Sequence, residues 1–346
     1  LKYTTYFLIY DPVIHTKFII AARLFFEKEK KFFLVPFEVT EYEKNLSGLS
    51  RILEILIKAG VNRSSCLLVL GGGTMGNVVG LAAGLLYRGI DFVHIPTTIL
   101  ACSDSVLSLK QGINMLKSKN IIGMYYRPVK IVICPELYNS LPQRDITAGY
   151  VEYVKNLIIV LPDQIENFMK FDFKDATSYG ALCSLIKKSI DAKTKLLIND
   201  EHERKEGILL EYGHTVGHAL EMMYPNVLRH GEGVAFGMLV AGEISNRLGY
   251  FTLKEISIQK QLLYKIGVIK NLRRFLKGKI IQKDRLLYYL NLDNKRGYIE
   301  CNTQEIAMVI MEKIGKPLFT DDLCIINVPA QLVIECVQDI WEEIVQ

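Results

Sequence analysis

The first 141 residues alternate short apolar runs with longer segments of helical spacing. The apolar runs are YFLIY, FFLVPF, CLLVL, FVHI and KIVIC, and the helical segments lie near residues 16 to 29, 45 to 59 and 77 to 88. Short β-rich runs that alternate with helices are typical of a mostly parallel sheet covered by helices. We therefore predict an α/β domain over residues 1–141.

The pattern changes after SLPQRD, where the strand signals fade. From about residue 146 the apolar spacing is largely helical, with candidate helices near residues 147 to 160, 178 to 198, 206 to 224 and 231 to 247. A chain of 346 residues is long enough for one large or two medium domains. We predict two, the second being an all-α domain over residues 142–346.

Composition narrows the class of protein. Half of the residues are apolar and 23% are charged, which is ordinary for a globular protein and excludes disorder. The net charge of +5 is too small and scattered to favour nucleic acid, although it suits a small anionic substrate. No apolar run reaches the roughly 18 residues of a membrane span. The seven cysteines contain no CxxC pair, as expected of reduced thiols in the cytoplasm.

The stretch LLVLGGGTMGNVVG joins a predicted strand to a predicted helix through a glycine-rich turn. Gly71, Gly73 and Gly76 match the G-x-G-x-x-G pattern, in which backbone N–H groups and a helix N-terminus face a pyrophosphate. A tight strand-to-helix turn explains the same residues equally well. The general rule for this pattern would nominate Asp91, about 20 residues further on, as the ribose ligand.

The stretch LLEYGHTVGHALE concentrates ionisable residues. If it is one helix, its spacing projects four side chains from a single stripe: Glu211, His214, His218 and Glu221. Gly213 and Gly217 remove side-chain bulk beside that stripe, which close approach of a ligand to the backbone would explain. The alternative is a solvated polar face on an amphipathic helix.

A catalytic metal site could combine residues from three stretches. AGYVEYVKN places Glu152 and Lys155 three apart, where an exposed ion pair is the alternative interpretation. RHGEG supplies His230. One carboxylate and two imidazoles, from Glu152, His214 and His230, are the ligand count of a catalytic zinc site. Metalloprotease chemistry of the HExxH type is excluded, because Thr215 follows His214.

A polar run, PTTILACSDSVLSLKQGIN, follows the predicted strand FVHI. Its Ser, Thr and Asp residues could be a capped loop and nothing more. Lys110 within it, and Lys119 and Asn120 beyond it, are basic and amide groups near the predicted nucleotide site. Recognition of phosphate or hydroxyl groups is their alternative role.

Together these motifs resemble the sugar-phosphate cyclase family, which includes 3-dehydroquinate synthase. The resemblance runs from about residue 7 to the last helices and includes GGGTMGN, RGIDFVHIPTT, KNIIG, AGYVEYVKN, EYGHTVGHALE and HGE. SDSVLSLKQGIN, LLEYGHTVGHALE and LDNKRGYIE are most similar to the branch that converts D-glucose 6-phosphate to 2-deoxy-scyllo-inosose for aminocyclitol antibiotics. The family fold is an α/β NAD-binding domain followed by a helical metal-binding domain.

The resemblance implies a role for each matching position. The metal ligands, for zinc or cobalt, would be Glu152, His214 and His230. The NAD-binding positions would be Asp11, Glu41, Lys44, Gly71, Gly72, Gly73, Gly76, Asn77, Thr97, Thr98, Asp104 and Lys119, with Asp11 in place of Asp91 as the ribose carboxylate. The catalytic and carbocycle-lining positions would be Lys110, Lys155, Lys193, Glu203, Glu211 and His218, with Asp104 beside them. The phosphate site would be Arg88, Asn120, Lys155, His218 and Lys295.

Three departures from 3-dehydroquinate synthase bear on the substrate. That enzyme has Asn at the position of Glu211, Asp at that of Asn77, and a carboxylate-binding Arg at that of Gly207. A substrate carboxylate beside Glu211 would be repelled by like charge, so a neutral polyol phosphate fits better.

The resemblance also implies a reaction and its partners. NAD would take up a hydride and return it, phosphate would leave, and the opened ring would close by an aldol step in a cytoplasmic homodimer. No nucleic acid or membrane is expected as a partner. Alternatives are 3-dehydroquinate synthase activity, a metal-dependent NAD alcohol dehydrogenase, and a non-catalytic subunit. The start at Leu1 suggests that a natural N-terminal segment is missing.

Overall fold

The computed structural model describes residues 3–14, 16–26, 31–116, 118–293, 295, 297–320 and 322–345. The chain divides into two compact units, residues 1–140 and residues 141–346. Among the described helices, none combines the length and the apolar character that crossing a membrane requires.

The first unit is built on a parallel sheet of five strands in the order β2-β1-β3-β4-β7. These strands are β1 Thr5–Tyr10, β2 Lys31–Pro36, β3 Ser65–Gly71, β4 Phe92–Pro96 and β7 Lys130–Ile131. Its helices are α1 Thr16–Phe26, α2 Leu46–Lys58, α3 Gly73–Leu85 and α4 Ile99–Ser103. The α/β prediction is confirmed, and the last three residues of the helix predicted near 16 to 29 lie outside the described part of the chain.

Both faces of this sheet are covered, which explains its continuous apolar runs. Alternate residues of β1 and β3 enter opposite cores, with Phe7 and Leu67 in one and Leu8 and Leu68 in the other. All seven residues of β3 are buried. A strand buried on both faces has no polar face to show a period of two.

A hairpin stands where the sequence indicated only a polar loop. It pairs β5, Lys110–Met115, with the antiparallel β6, Ser118–Tyr125. Gly112 lies opposite Gly123, so the centre of the pair carries no side chains that could alternate between polar and apolar. The predicted strand KIVIC is likewise reduced to the two residues of β7.

The second unit is mostly helical, which confirms the predicted class. Its helices are α5 Gln143–Ile159, α6 Ile165–Lys170, α7 Tyr179–Leu197, α8 His214–Met223, α9 His230–Arg247, α10 Leu253–Lys265, α11 Val268–Leu276, α12 Lys283–Leu290 and α13 Ala330–Val345. It also contains short strands, β8 Glu305–Met308, β9 Met311–Lys313, β10 Lys316–Pro317 and β11 Ile326–Pro329. With two to four residues each, they are too short for a strand period to be recognised.

Glycines bring α8 and α9 into backbone contact. A Cβ on Gly237 would lie 1.8 Å from the Gly213 carbonyl oxygen, and one on Gly217 would lie 2.9 Å from the Gly233 carbonyl. Our interpretation of Gly213 and Gly217 as space for a ligand is therefore wrong. They are small because a neighbouring helix occupies that space.

We expect Gly237→Ala to force α8 and α9 apart and to lower the free energy of unfolding by about 1–3 kcal/mol, as overpacking does. The matched control is Gly180→Ala in α7, where an added Cβ meets no atom within 4 Å. Alanine there lowers the conformational entropy of the unfolded chain, which should raise the free energy of unfolding by about 0.4–1 kcal/mol. Urea unfolding of both variants measures the difference, and equal stabilities would contradict this packing.

Candidate active site

Glu152 and Lys155 lie on the buried part of α5. Glu152 is 0% exposed and Lys155 is 1% exposed, since every residue from Ile146 to Ile159 is buried. Lys155 Nζ lies 2.5 Å from Glu152 Oε2 and donates a hydrogen bond to the Leu210 carbonyl at 2.6 Å. The exposed ion pair considered above is therefore wrong, because this pair is removed from water.

Two histidines at helix starts face the same oxygen of Glu152. His214 begins α8 and His230 begins α9, and their Nε2 atoms lie 3.6 Å and 3.5 Å from Glu152 Oε1. Ligands bound tetrahedrally at 2.0–2.2 Å from zinc are separated by about 3.4 Å. The spacing and the donor set therefore fit a divalent metal ion.

The far side of each imidazole is held by an acceptor. His230 Nδ1 donates to Glu221 Oε1 at 3.0 Å, and His214 Nδ1 donates to the Tyr212 carbonyl at 3.2 Å. This pairing turns both Nε2 atoms toward Glu152. Glu221 had no role in our prediction, and its place on the stripe with His218 was the only signal for it.

A second possible donor set shares His230. His218, Glu221 and His230 also have ligand atoms within 4.8 Å of one another, as do Glu152, His214 and His230. In the set of His218, Glu221 and His230, the Glu221 carboxylate that bonds to His230 Nδ1 would also have to bind the ion. The set around Glu152 leaves that bond intact, so we favour it.

Burial and neighbouring charges shift the pKa values of these three groups in different directions. Burial, followed by the Lys155 charge, lowers the pKa of His214 to about 3, which keeps its imidazole neutral. Burial opposes the charge of Glu152, but Lys155 and the two histidines hold its pKa well below the usual range. Burial also opposes the charge of His230, yet Glu221 and Glu152 raise its pKa to about 10. A metal ion would have to displace a proton from His230.

A second polar network adjoins the histidines. Lys295 is 1% exposed and donates to Asp293 Oδ1 at 2.9 Å and to Glu211 Oε2 at 3.2 Å. His218 Nδ1 lies 3.8 Å from Asp293 Oδ2, and its ring centroid is 5.3 Å from that of His214. Asp293 was missed, although it stands two residues before Lys295 in LDNKRGYIE. Residues 294 and 296 of that motif lie outside the described residues.

Glu211 does not belong to the predicted stripe. It ends a 3₁₀ helix, Glu206–Glu211, and Gly213 at φ +81° separates that helix from α8. The prediction of one helix over residues 206 to 224 is therefore wrong. Glu211 nevertheless reaches the histidines' neighbourhood through its contact with Lys295.

Lys193 and Glu203 are also buried, at 5% and 6% exposure. Glu203 adopts φ +53° in a loop organised by Asp200, whose carboxylate accepts the backbone N–H groups of residues 204, 205 and 207. Asp200 was not recognised from the sequence, because its partners are backbone groups.

The glycine-rich turn has the predicted form. β3 ends at Gly71, α3 begins at Gly73, and Gly72 caps the helix. A Cβ on Gly76 would lie 2.0 Å from the His94 ring, so the third glycine lets α3 pack on β4. The last glycine of the turn is thus explained by packing, while a ligand at the N-terminus of α3 stays a prediction.

Several predicted nucleotide positions lie at the same edge of the sheet as this turn. Asp11 N–H and Thr97 N–H donate to the carbonyls of Leu70 and Gly71. Thr98 caps α4 by accepting the Ala101 N–H at 3.1 Å, so part of that run is indeed a capped loop. Asp91 accepts the N–H of Leu67 near the start of β3 and contacts Tyr3, at the opposite edge. This geometry favours Asp11 over Asp91.

Two contact networks surround the first turns of α3. Lys44 Nζ donates to Asn120 Oδ1 at 2.6 Å and lies 3.0 Å from the Asn77 amide, which in turn donates to the Lys110 carbonyl at 3.0 Å. In the second network, Glu41 accepts from Thr74 at 2.9 Å and from Asn114 at 3.1 Å, and lies 3.8 Å from Lys119 Nζ. The structure therefore brings together Glu41, Lys44, Asn77, Lys110, Lys119 and Asn120.

Arg88 is separated from these residues. It is exposed and follows the C-terminal end of α3, eleven residues beyond Asn77. The eight residues from Asn77 to the end of α3 at Leu85 span about 12 Å at 1.5 Å per residue, and Arg88 lies beyond that end. The described contacts of the chain do not bring Arg88 together with Asn120 as one phosphate site.

The chain matches known protein families in both of its units. Family models described as 3-dehydroquinate synthase N-terminal and C-terminal match residues 34–148 and 149–296. This chain belongs to the sugar-phosphate cyclase family.

Curated relatives and a solved structure are similar to this chain over most of its length. The 2-deoxy-scyllo-inosose synthase of Niallia circulans is 35% identical over 98% of this chain and 91% of its own length. That of Streptoalloteichus tenebrarius is 38% identical over 87% of this chain and 77% of its own length. A crystal structure of 2-deoxy-scyllo-inosose synthase complexed with carbaglucose-6-phosphate, NAD+ and Co2+ is 33% identical, with a TM-score of 0.86 over 98% of this chain and 91% of that one.

The structure gives a reason for one departure of the cyclase from 3-dehydroquinate synthase. A Cβ on Gly207 would lie 2.9 Å from both Asp200 Oδ2 and Leu197 Cδ2. A side chain at this position, where the resemblance puts an arginine, would therefore have to displace the Asp200 carboxylate, which accepts the Gly207 N–H, and the end of the Leu197 side chain.

We expect Lys155→Met to destabilise the metal-free protein by about 3–5 kcal/mol, because it breaks the buried pair and leaves the Glu152 carboxylate with only the more distant His230 as a cationic partner among those described. The matched control is Lys170→Met, which breaks an exposed pair with Glu166 on α6 and should change stability little. Thermal and urea unfolding of both variants tests this. A small effect at Lys155 would show that Glu152 is not charged in the folded protein.

Proposed function

We propose that this chain converts D-glucose 6-phosphate to 2-deoxy-scyllo-inosose with release of phosphate, as a carbon–oxygen lyase of aminocyclitol antibiotic biosynthesis. The observation that carries the proposal is the buried Glu152 oxygen at 3.5 Å and 3.6 Å from two imidazole nitrogens. The names of the relatives and the ligands of the similar crystal structure support it.

In this proposal Glu152, His214 and His230 hold a zinc or cobalt ion. When bound, the ion supplies Lewis acidity for oxidation of a substrate hydroxyl, and NAD supplies the hydride acceptor that later returns the hydride. Glu221 and the Tyr212 carbonyl orient the two imidazoles. Lys155 keeps a fixed positive charge beside them, where a developing oxyanion would be stabilised.

The adjoining network supplies the proton carriers. Glu211 lies against Lys295, so its carboxylate is held in one position by a buried ammonium group. We assign proton transfer in ring opening and closure to Glu211 and Glu203. Lys110 and Lys193 complete the catalytic group, and the substrate phosphate is assigned to His218, Lys295, Lys155, Asn120 and Arg88. Of these five residues, Arg88 is the one that the described contacts of its own chain do not link to Asn120.

The N-terminal domain, residues 1–141, binds NAD in this proposal, and the remainder holds metal and substrate. The N–H groups at the start of α3 bind the pyrophosphate of NAD in this proposal. Two networks at that end of the helix shape the rest of the dinucleotide site. Its positions are Asp11, Glu41, Lys44, Gly71, Gly72, Gly73, Gly76, Asn77, Thr97, Thr98, Asp104 and Lys119.

Charge favours a polyol phosphate over a substrate that carries a carboxylate. Glu211 and Asp293 already place two carboxylates on the one ammonium group of Lys295. A further carboxylate would add repulsion in a poorly solvated place, and Gly207 offers no cation to offset it. The same family resemblance supports a homodimer in the cytoplasm.

Purified protein supplied with Co2+, NAD and glucose 6-phosphate is expected to release inorganic phosphate and form a carbocycle without accumulating NADH. Retention of phosphate on the sugar would contradict the proposal. Accumulation of NADH would instead favour an alcohol dehydrogenase, and turnover of the heptulosonate substrate would favour 3-dehydroquinate synthase.

The same assay tests Glu211. Glu211→Gln is expected to lower kcat by about 10²–10⁴-fold, the range of general acid–base catalysis, while Co2+ binding is retained. Glu206→Gln, at an exposed position of the same 3₁₀ helix, is the matched control and should keep wild-type kcat. Equal rates for the two variants would remove Glu211 from the mechanism.

A further inference from the structure

A partly buried ion pair joins α5 to α9 outside the metal cluster. Arg144 Nε donates to Glu232 Oε1 at 2.7 Å, and Arg144 Nη2 lies 2.5 Å from Glu232 Oε2. Glu232 is 0% exposed. A guanidinium group that grips both oxygens of one carboxylate fixes direction as well as distance.

The same two side chains are anchored on their other sides. Arg144 Nη2 donates to the Val227 carbonyl at 2.5 Å, and its guanidinium lies 3.4 Å from the centre of the Phe275 ring. Glu232 Oε2 accepts the Arg229 N–H at 2.9 Å, which caps the start of α9. Neither residue can turn away without breaking several contacts.

Three contacts follow one another along the two helices. Arg144, Ala148 and Glu152 are spaced four apart on one face of α5. They meet, in this order, three consecutive residues at the start of α9: Glu232, Gly231 and His230. A Cβ on Gly231 would lie 2.0 Å from the Ala148 carbonyl oxygen, so the backbones touch in the middle. The last contact is the 3.5 Å approach of His230 Nε2 to Glu152 Oε1.

We propose that Arg144 and Glu232 are positioning residues for the metal site, which set the register of α9 on α5 and thereby the distance between Glu152 and His230. Neither residue touches the proposed ion. The inference rests on the proposed function, because it assigns these residues to the metal that the function requires.

Arg144→Met/Glu232→Gln tests this, because it removes both charges together and leaves no single charge buried. The amide oxygen that the second substitution introduces can still accept the Arg229 N–H. Titration with Co2+, followed by the visible absorption of the bound ion, should give a Kd about 10- to 100-fold higher than wild type, the range for residues that support metal ligands. Arg144→Lys keeps the charge but cannot contact both carboxylate oxygens as a guanidinium does. Its Kd for Co2+ should lie between those of the wild type and the double variant.

The matched control is Arg247→Met. Arg247 lies at the other end of α9 and pairs with Glu243 at 3.0 Å and with Glu335 at 3.8 Å. Its loss should lower the melting temperature without changing the Kd for Co2+. Circular dichroism verifies that each variant is folded, and Arg144→Lys provides the comparison if the double variant is not.

The outcomes separate the two proposals. If the wild-type protein binds Co2+ and the folded variants bind it with the same Kd, the positioning role alone is overturned. Absence of Co2+ binding by the wild-type protein would overturn the proposed function, and the positioning role with it.

Discussion

The second unit is organised around one carboxylate oxygen that has been removed from water. Glu152 is fully buried, and its Oε1 faces two imidazole nitrogens while its Oε2 faces an ammonium group. A buried charge is tolerated only where partners compensate for lost hydration. The long burial of α5, the backbone contact of α8 with α9 and the cap of α9 all serve to place those partners.

Compensation extends beyond the three possible ligands. Lys155 and Lys295 are both about 1% exposed, and each is surrounded by acceptors from other parts of the chain. Ordered cations of this kind need no reorganisation when negative charge develops beside them. The arrangement therefore suits chemistry that forms oxyanions, and it disfavours an additional carboxylate near Glu211 and Asp293.

Residue types and local elements were predictable from the sequence, whereas their mutual geometry was not. The strand, turn and helix around Gly71 to Gly76 have strong local signals, and Glu152, His214 and His230 carry the right donor atoms. The interruption at Gly213 was missed because the apolar spacing continues across it. Glu221 was missed because its partner, His230, begins the next helix. Asp200 and Asp293 were missed because their local partners, backbone N–H groups for one and Lys295 for the other, form no recognised motif. The glycines beside the histidines were misinterpreted, because close approach of a helix and close approach of a ligand both favour glycine.

The most direct measurement is a crystal structure of the protein grown with Co2+, with the ion located by its anomalous scattering. We expect one ion about 2.0–2.2 Å from Glu152 Oε1, His214 Nε2 and His230 Nε2, the bond lengths of carboxylate and imidazole ligands. An ion bound instead by His218, Glu221 and His230, or found away from Glu152, would contradict it.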